Sequence, residues 1–338
     1  MDLEAFDYQL PKEKIAIFPK KRGSSRLLVC FRKNGKVIDE KFLNLINFIE
    51  KNSLIILNNT KVFKARILFN FRDGREGEIL ILKYKENKME CLIKNGKKLL
   101  KEKKIIFFDG KESILIERKE NGVFHIETNC PVEEIIEKKG VPPLPPYIKR
   151  KSKKEDTEWY QTVYAKEKGS IAAPTAGLHF TKEILEKLKE NEIKIGYLTL
   201  HIGIGTFKPI RAKRIEEHIM EEEYYEISDS LAGEIEKAKK EKRKIIAVGT
   251  TTVRALESAY LKGEGKVLPT KATTNLFIYP PFKFNVIDGL LTNFHLPKST
   301  PLVLVSAFAG LENIKKWYKK AIELDYRFLS YGDAMFII

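Results

Sequence analysis

Three histidines stand in uncharged loops rich in small residues. His179 closes Gly169-Ser-Ile-Ala-Ala-Pro-Thr-Ala-Gly-Leu-His179, His201 opens His201-Ile-Gly-Ile-Gly-Thr-Phe207, and His295 lies in Thr292-Asn-Phe-His-Leu-Pro297. Imidazole is the side chain that exchanges a proton near neutral pH, so such loops suit proton transfer. Small residues also let main chain approach a bound molecule closely. Thr175, Gly177 and Phe180 around His179, and Gly203, Gly205, Thr206 and Phe207 after His201, are therefore candidate substrate contacts. A single buried histidine most often only satisfies its own hydrogen bonds, but three loops of one texture argue for a shared site.

A fourth loop, Gly249-Thr250-Thr251-Thr252, precedes Arg254 by one turn. A strand ends there, glycine permits a tight turn and a helix begins. Free N–H groups at that N-terminus, with Arg254, suit a carboxylate or phosphate. The lysine and spacing of a P-loop are missing, so a nucleoside triphosphate is not expected; threonine capping alone is the competing explanation. Asp288 adds a carboxylate beside Gly289, shortly before His295. His125 and His218 stand apart and read as structural or solvated. Cys30, Cys91 and Cys130 are scattered, without C-x-x-C spacing, and no histidine pair has metal-ligand spacing. No metal and a reducing, cytoplasmic setting are expected. No G-x-G-x-x-G follows an early strand and no G-x-S-x-G occurs, which speaks against dinucleotide enzymes, Rossmann methyltransferases and α/β-hydrolases.

The elements that must position these loops fall into two textures. Residues 26–57 read as strand, hairpin at Asn34-Gly35, short helix and strand. From residue 62, short strands separated by turns such as Asn95-Gly96 and Asn121-Gly122 predict a small β-barrel. Four prolines in Pro142-Pro-Leu-Pro-Pro146 stiffen the exit from it, with Tyr147 docking on the next domain. After residue 150, strands alternate with helices, including a helix over 156–165 and strands over 274–279 and 286–291. The expected fold class is α/β: a discontinuous layered α/β domain (1–61 and 151–338) with an inserted β-barrel domain (62–150).

The chain has 338 residues and a net charge of +16, with 62 basic against 46 acidic side chains. A folded protein with a positive field suits a polyanion, although a lysine-rich surface gives the same total. The acidic N-terminus lacks an apolar core and the longest apolar run is short, so neither signal peptide nor membrane span is expected.

Several strings together resemble one family. They are Leu57-Asn-Asn-Thr-Lys-Val62, Pro142-Pro-Leu-Pro-Pro-Tyr147, Tyr160-Gln-Thr-Val-Tyr164, Ala173-Pro-Thr-Ala-Gly-Leu-His-Phe180, Leu200-His-Ile-Gly-Ile-Gly-Thr-Phe207, Val248-Gly-Thr-Thr-Thr-Val-Arg254, Thr292-Asn-Phe-His-Leu-Pro297 and Tyr331-Gly-Asp-Ala-Met335. The chain resembles, from end to end, the S-adenosylmethionine:tRNA ribosyltransferase-isomerases of queuosine biosynthesis. The resemblance implies transfer of the ribosyl part of S-adenosylmethionine to the aminomethyl group of a 7-deazaguanine at the tRNA wobble position. Adenine and methionine leave and epoxyqueuosine forms. S-adenosylmethionine is then a consumed substrate, and the partner is a tRNA anticodon loop.

That chemistry needs a base for the carbon beside the sulfonium, an acid for departing adenine and an uncharged amine. We expect His179 as base, with His201 or His295 as acid or second base. Gly249–Thr252 and Arg254 would hold the methionine carboxylate or a tRNA phosphate. Phe180 and Phe207 would face the sulfonium or stack on a base. Lys20, Lys21, Arg22, Arg72, Arg75, Lys149, Arg150 and Lys151 are candidate tRNA contacts, and a monomer is expected. An RNA methyltransferase using the same cofactor and a non-catalytic RNA-binding protein are the alternatives.

Overall fold

The computed structural model describes the chain except residues 72–73, 98, 100–102, 109–110, 121 and 208, and the side chains at 108, 206 and 207. Arg72, one of the expected tRNA contacts, therefore lies outside the described residues.

A nine-stranded mixed sheet carries the structure. Its order is Thr270–Thr274, Glu223–Ile227, Lys194–Leu200, Leu54–Asn58, Ile245–Val248, Gly289–Asn293, Ala334–Ile337, Arg26–Cys30 and Val37–Lys41. The four strands from Lys194–Leu200 to Gly289–Asn293 run parallel. Ala334–Ile337 returns antiparallel beside them and pairs parallel with Arg26–Cys30. Strands from before residue 60 and after residue 190 thus share one sheet.

Strand alternation explains the burial of both faces. Leu54, Ile56, Ile245, Ala247 and Leu290 join one cluster, covered by the helices Asp229–Lys240, Thr250–Lys262, Thr300–Ala309 and Leu311–Glu323. Ile55, Leu57, Ile246, Val248 and Leu291 join another, beside Phe42 to Ile49 and the helix Lys182–Glu190. Side-chain caps start three of these helices: Thr181 accepts from Ile184 N–H, Ser228 from Leu231 N–H and Ser299 from Leu302 N–H.

Residues 66–141 supply a seven-stranded sheet, antiparallel throughout. The expected small barrel is met in part: the sheet curls into a half-barrel around its own core, and among the described residues no ladder joins its first strand to its last. Thr60–Val62 and Glu167–Ser170 pair in parallel where the chain enters and after it leaves this region.

Two further expectations shift. The helix over 156–165 shrinks to Asp156–Trp159, because Arg22 takes the carbonyls of Glu158 and Gln161 that a longer helix would use. The strand over 274–279 moves to Thr270–Thr274, where it pairs with Glu223–Ile227; Leu276 to Tyr279 pack on the core instead.

Candidate active site

Parallel strands of an α/β sheet gather loops at their C-terminal ends. Here those ends deliver Asn58, His201, Gly249 and Asn293 to one edge. A cavity at this edge is lined by Ala172–Ala176, Gly249–Thr251 and Thr292–Leu296, with Tyr147, Tyr160, Ile202 and Ser330. All four loops singled out by their sequence therefore contribute to its wall, the His201 loop through Ile202 alone. Ile202 is tied in place: Ser170 Oγ accepts from its N–H at 2.9 Å, and Ile171 N–H donates to its carbonyl at 3.1 Å.

His295 lines this cavity. Its Nε2 lies 2.8 Å from Thr292 Oγ1, its main-chain N–H donates to Tyr318 Oη at 3.0 Å, and its carbonyl accepts from Tyr8. Among the described residues Nδ1 has no hydrogen-bond partner, so one ring nitrogen stays available. Burial lowers its pKa from 6.5 to about 3, keeping the imidazole uncharged at neutral pH.

His179 has a different environment. The Asn293 side-chain N–H₂ donates to the Leu329 carbonyl at 3.2 Å, which fixes the amide's orientation. The same group then donates to His179 Nε2 at 3.1 Å, so Nδ1 carries the proton and donates to Ser25 Oγ at 2.7 Å. Thr175 Oγ1 donates to the Asn293 carbonyl oxygen at 2.9 Å. Both nitrogens of His179 are occupied, and its ring rests on Phe42 at 5.1 Å. Burial lowers its pKa to about 4, with Asp333 opposing and Arg22 adding to the shift.

These two imidazoles make a testable pH dependence. In the unfolded chain both protonate near pH 6.5, whereas folded they stay neutral to about 4 and 3. Between those limits the unfolded state binds more protons, so their contribution to stability is complete above pH 6.5 and is lost as pH falls. Thermal melts should be flat above about pH 7 and fall from about pH 6.5 downward. His179→Gln should show a shallower acid slope than the wild type; parallel slopes would contradict the assignment.

His201 sits on the rim. Its Nδ1 lies 2.8 Å from Thr60 Oγ1 and its ring stacks on Tyr224 at 5.6 Å. A Cβ on Gly169 would lie 2.7 Å from its Nε2, so that glycine is required by the ring's close approach. Burial lowers its pKa, with Glu167 and Glu226 opposing.

The expected ligand contacts divide. Gly249 has φ +89, which a side chain would strain, and places the N-terminus of Thr250–Lys262 at the cavity. Thr250 and Thr251 line the cavity, while Thr252 Oγ1 is buried and donates to the Val248 carbonyl at 2.6 Å. Arg254 is buried against Glu223 and donates to the carbonyls of Leu276 and Thr274, so its charge is already matched. Glu223 also accepts from Gly203 N–H at 2.8 Å, which anchors the His201 loop. Phe180 is fully buried, packed edge-on against Phe42 at 5.2 Å, and cannot face a substrate. A Cβ on Gly177 would lie 2.0 Å from Tyr164 Oη, so packing explains that glycine. Gly205 lies near Glu221, and the backbone of Thr206 and Phe207 forms a short turn with it. Asp288 precedes its strand and accepts from Ile245 N–H at 2.9 Å, which puts it at the opposite edge of the sheet.

A second cleft, lined by Lys20, Lys21, Arg22, Trp159, His179 and Tyr331, also includes Ser330 and so adjoins the first. Lys149, Lys151 and Arg75 are exposed. Arg150 instead makes paired 2.7 Å bonds to buried Asp156 and lies over Phe18. Asn293, Ser25, Glu223 and Tyr160 were not singled out as site residues. Asn293 and Tyr160 lie within the uncharged strings; nothing in the sequence marks Ser25. No group of three or more His, Cys, Asp or Glu among the described residues could hold a metal, and no described helix is long and apolar enough to cross a membrane.

The family described as "Queuosine biosynthesis protein" matches residues 3–337. The chain is 48% identical to the S-adenosylmethionine:tRNA ribosyltransferase-isomerase of Carboxydothermus hydrogenoformans, over the full length of both chains. It is 47% identical to the enzyme of the same name from Halothermothrix orenii, again over both full lengths. The crystal structure of S-adenosylmethionine tRNA ribosyltransferase from Thermotoga maritima, at 32% identity, aligns with 99% of this chain and 100% of its own at a TM-score of 0.56.

Proposed function

The chain belongs to the queuosine biosynthesis protein family, and on that premise we propose how its cavity carries out the family's chemistry. The chain transfers the ribosyl group of S-adenosylmethionine to tRNA and isomerises it. The acceptor we assign is the aminomethyl group of a 7-deazaguanine in the anticodon loop. A bond forms to that nitrogen, which gives up a proton; the bonds to methionine sulfur and to adenine break, adenine leaving with a proton; and the ribosyl carbons, one proton poorer, close into the epoxide-bearing ring.

The observation that supports the reading best is the cavity itself. It places one imidazole with an available nitrogen beside a helix N-terminus, at the strand ends where α/β sheets collect ligands. The Thr250 end of the helix suits the methionine carboxylate, because its first N–H groups have no intrahelical acceptor and its dipole favours negative charge.

In this assignment His295 takes the proton from the carbon next to the sulfonium. Thr292 holds the ring at Nε2 and the two tyrosines hold its main chain, which leaves Nδ1 for the substrate. His179, the residue expected as base, fits better as a positioning residue: it holds Asn293, which in turn holds Thr175 and the Leu329 main chain. His201 lies outside both clefts and anchors the rim. Lys20, Lys21 and Arg22 line the adjoining cleft, whose positive charge suits the approach of the polyanionic tRNA. An anticodon loop offers its base unpaired, so no duplex need open.

Product identity tests the function. With S-adenosylmethionine and a tRNA bearing the aminomethyl base, free adenine and methionine should appear in equal amounts. S-adenosylhomocysteine without adenine would instead identify a methyltransferase.

A further inference from the structure

Trp159 stands in the wall of the second cleft, among Lys20, Lys21 and Arg22. It is half-buried: it packs on the cluster that includes Leu178 and Tyr331, yet lines the cleft. The segment that carries it is short and firmly held. Asp156 opens it, taking 2.7 Å bonds from both Arg150 Nη atoms and from the Lys153 N–H. Arg22 closes it by donating to the carbonyls of Glu158 and Gln161, on either side of Trp159. Both of those acceptors are neutral, so the Arg22 charge adds to the cleft. Lys20 lies 3.6 Å from buried Asp333, and Glu158 is the carboxylate on the wall, which leaves the cleft a positive balance. An aromatic side chain among cations is how proteins hold unpaired RNA: the ring stacks on a base and the cations meet the backbone.

We infer that Trp159 is the stacking platform for the acceptor base of the tRNA. The inference rests on the functional reading above and gives the base its place. The cavity and the cleft share Ser330. A base stacked in the cleft therefore presents its aminomethyl group toward S-adenosylmethionine in the cavity, while the cations meet the flanking phosphates. S-adenosylmethionine brings no polyanion to match those cations, which favours the RNA base over adenine as the occupant.

Trp159→Leu keeps apolar packing and removes the stacking face. Its KM for tRNA bearing the aminomethyl base should rise about 5–100-fold, the range for one stacked base, with kcat and the KM for S-adenosylmethionine unchanged. Trp159→Phe should recover most of that loss. The salt dependence of tRNA affinity should keep its slope in both variants, since no phosphate contact is removed. The same tRNA should quench tryptophan fluorescence in the wild type and not in Trp159→Leu. The other tryptophan, Trp317, is 2% exposed and donates to the Gly35 carbonyl at 3.0 Å, away from the cleft. Wild-type affinity in Trp159→Leu, or equal losses in the leucine and phenylalanine variants, would reduce Trp159 to packing and overturn the inference. A flatter salt slope would mean a backbone contact and overturn it equally. Quenching by S-adenosylmethionine alone would put adenine on the indole instead. Should Trp159→Leu not fold, the wild-type fluorescence decides by itself, and no quenching by the tRNA would overturn the inference. Wild-type turnover to S-adenosylhomocysteine would refute the functional reading while leaving a Trp159 effect on tRNA affinity intact, so the two failures are distinguishable.

Discussion

His295→Ala should lower ribosyl transfer by about 10²–10⁴-fold, the range for loss of a positioned proton-transfer group, with the Kd of S-adenosylmethionine changed by less than about 10-fold. The size of the expected effect follows from how the ring is held. Its main chain is fixed on both sides, by Tyr318 on the N–H and Tyr8 on the carbonyl, while Thr292 holds Nε2. No such scaffold is needed for a histidine that merely fills space, and among the described residues Nδ1 keeps no hydrogen-bond partner. Thr292→Val should produce a smaller loss of the same kind, because the ring survives and only its orientation loosens. Single-turnover rates at saturating S-adenosylmethionine separate chemistry from binding. A His295→Ala enzyme that turns over at near wild-type rate would remove the residue from the proton transfer.

Arg254→Met should destabilise the protein by about 3–5 kcal/mol, because it leaves Glu223 buried without its partner. Glu223 also carries the Gly203 N–H, so the loop from His201 onward should loosen with it. The double variant Arg254→Met/Glu223→Gln should be milder than Arg254→Met alone, since it strands no charge. Denaturant melts of the three proteins measure this directly. A contrary outcome has a clear form: if Arg254 instead held a substrate anion, Arg254→Met would keep its stability and raise KM. The sequence suggested that role, and the ion pair with Glu223 is the reason it does not fit.

That pair shows where sequence reading reaches its limit. Glu223 follows Glu221 and Glu222 in a run that reads as solvated surface. It is buried only because Glu223–Ile227 pairs with Thr270–Thr274, which brings Thr274 and then Leu276 beside Arg254. Nothing local announces such pairing. Asp288 teaches a related lesson. It is near His295 in sequence, but a five-residue strand at about 3.3 Å per residue stands between them. The strand's length sends the two residues to opposite edges of the sheet. Local signals were dependable where they act locally. The strand–glycine–helix pattern at Gly249 and the hairpin at Gly35 both appear in the structure. The glycines near His179 were legible as close approaches but not as to what: Gly177 meets Tyr164 and Gly169 meets His201, neither of them a ligand. Asn293 and Ser25 acquire meaning only once the strand ends assemble, because their partner His179 arrives from another segment.

These assignments converge on S-adenosylmethionine reacting in the cavity between the Thr250 helix end and His295. A crystal structure of the protein with S-adenosylmethionine bound decides whether it does. The expected result is the carboxylate on the main-chain N–H groups at Thr250 and Thr251 and the sulfonium-bearing carbon near His295 Nδ1. Density for the ligand at the opposite edge of the sheet, or in the cavity with His295 turned away from the sulfonium, would overturn the assignment.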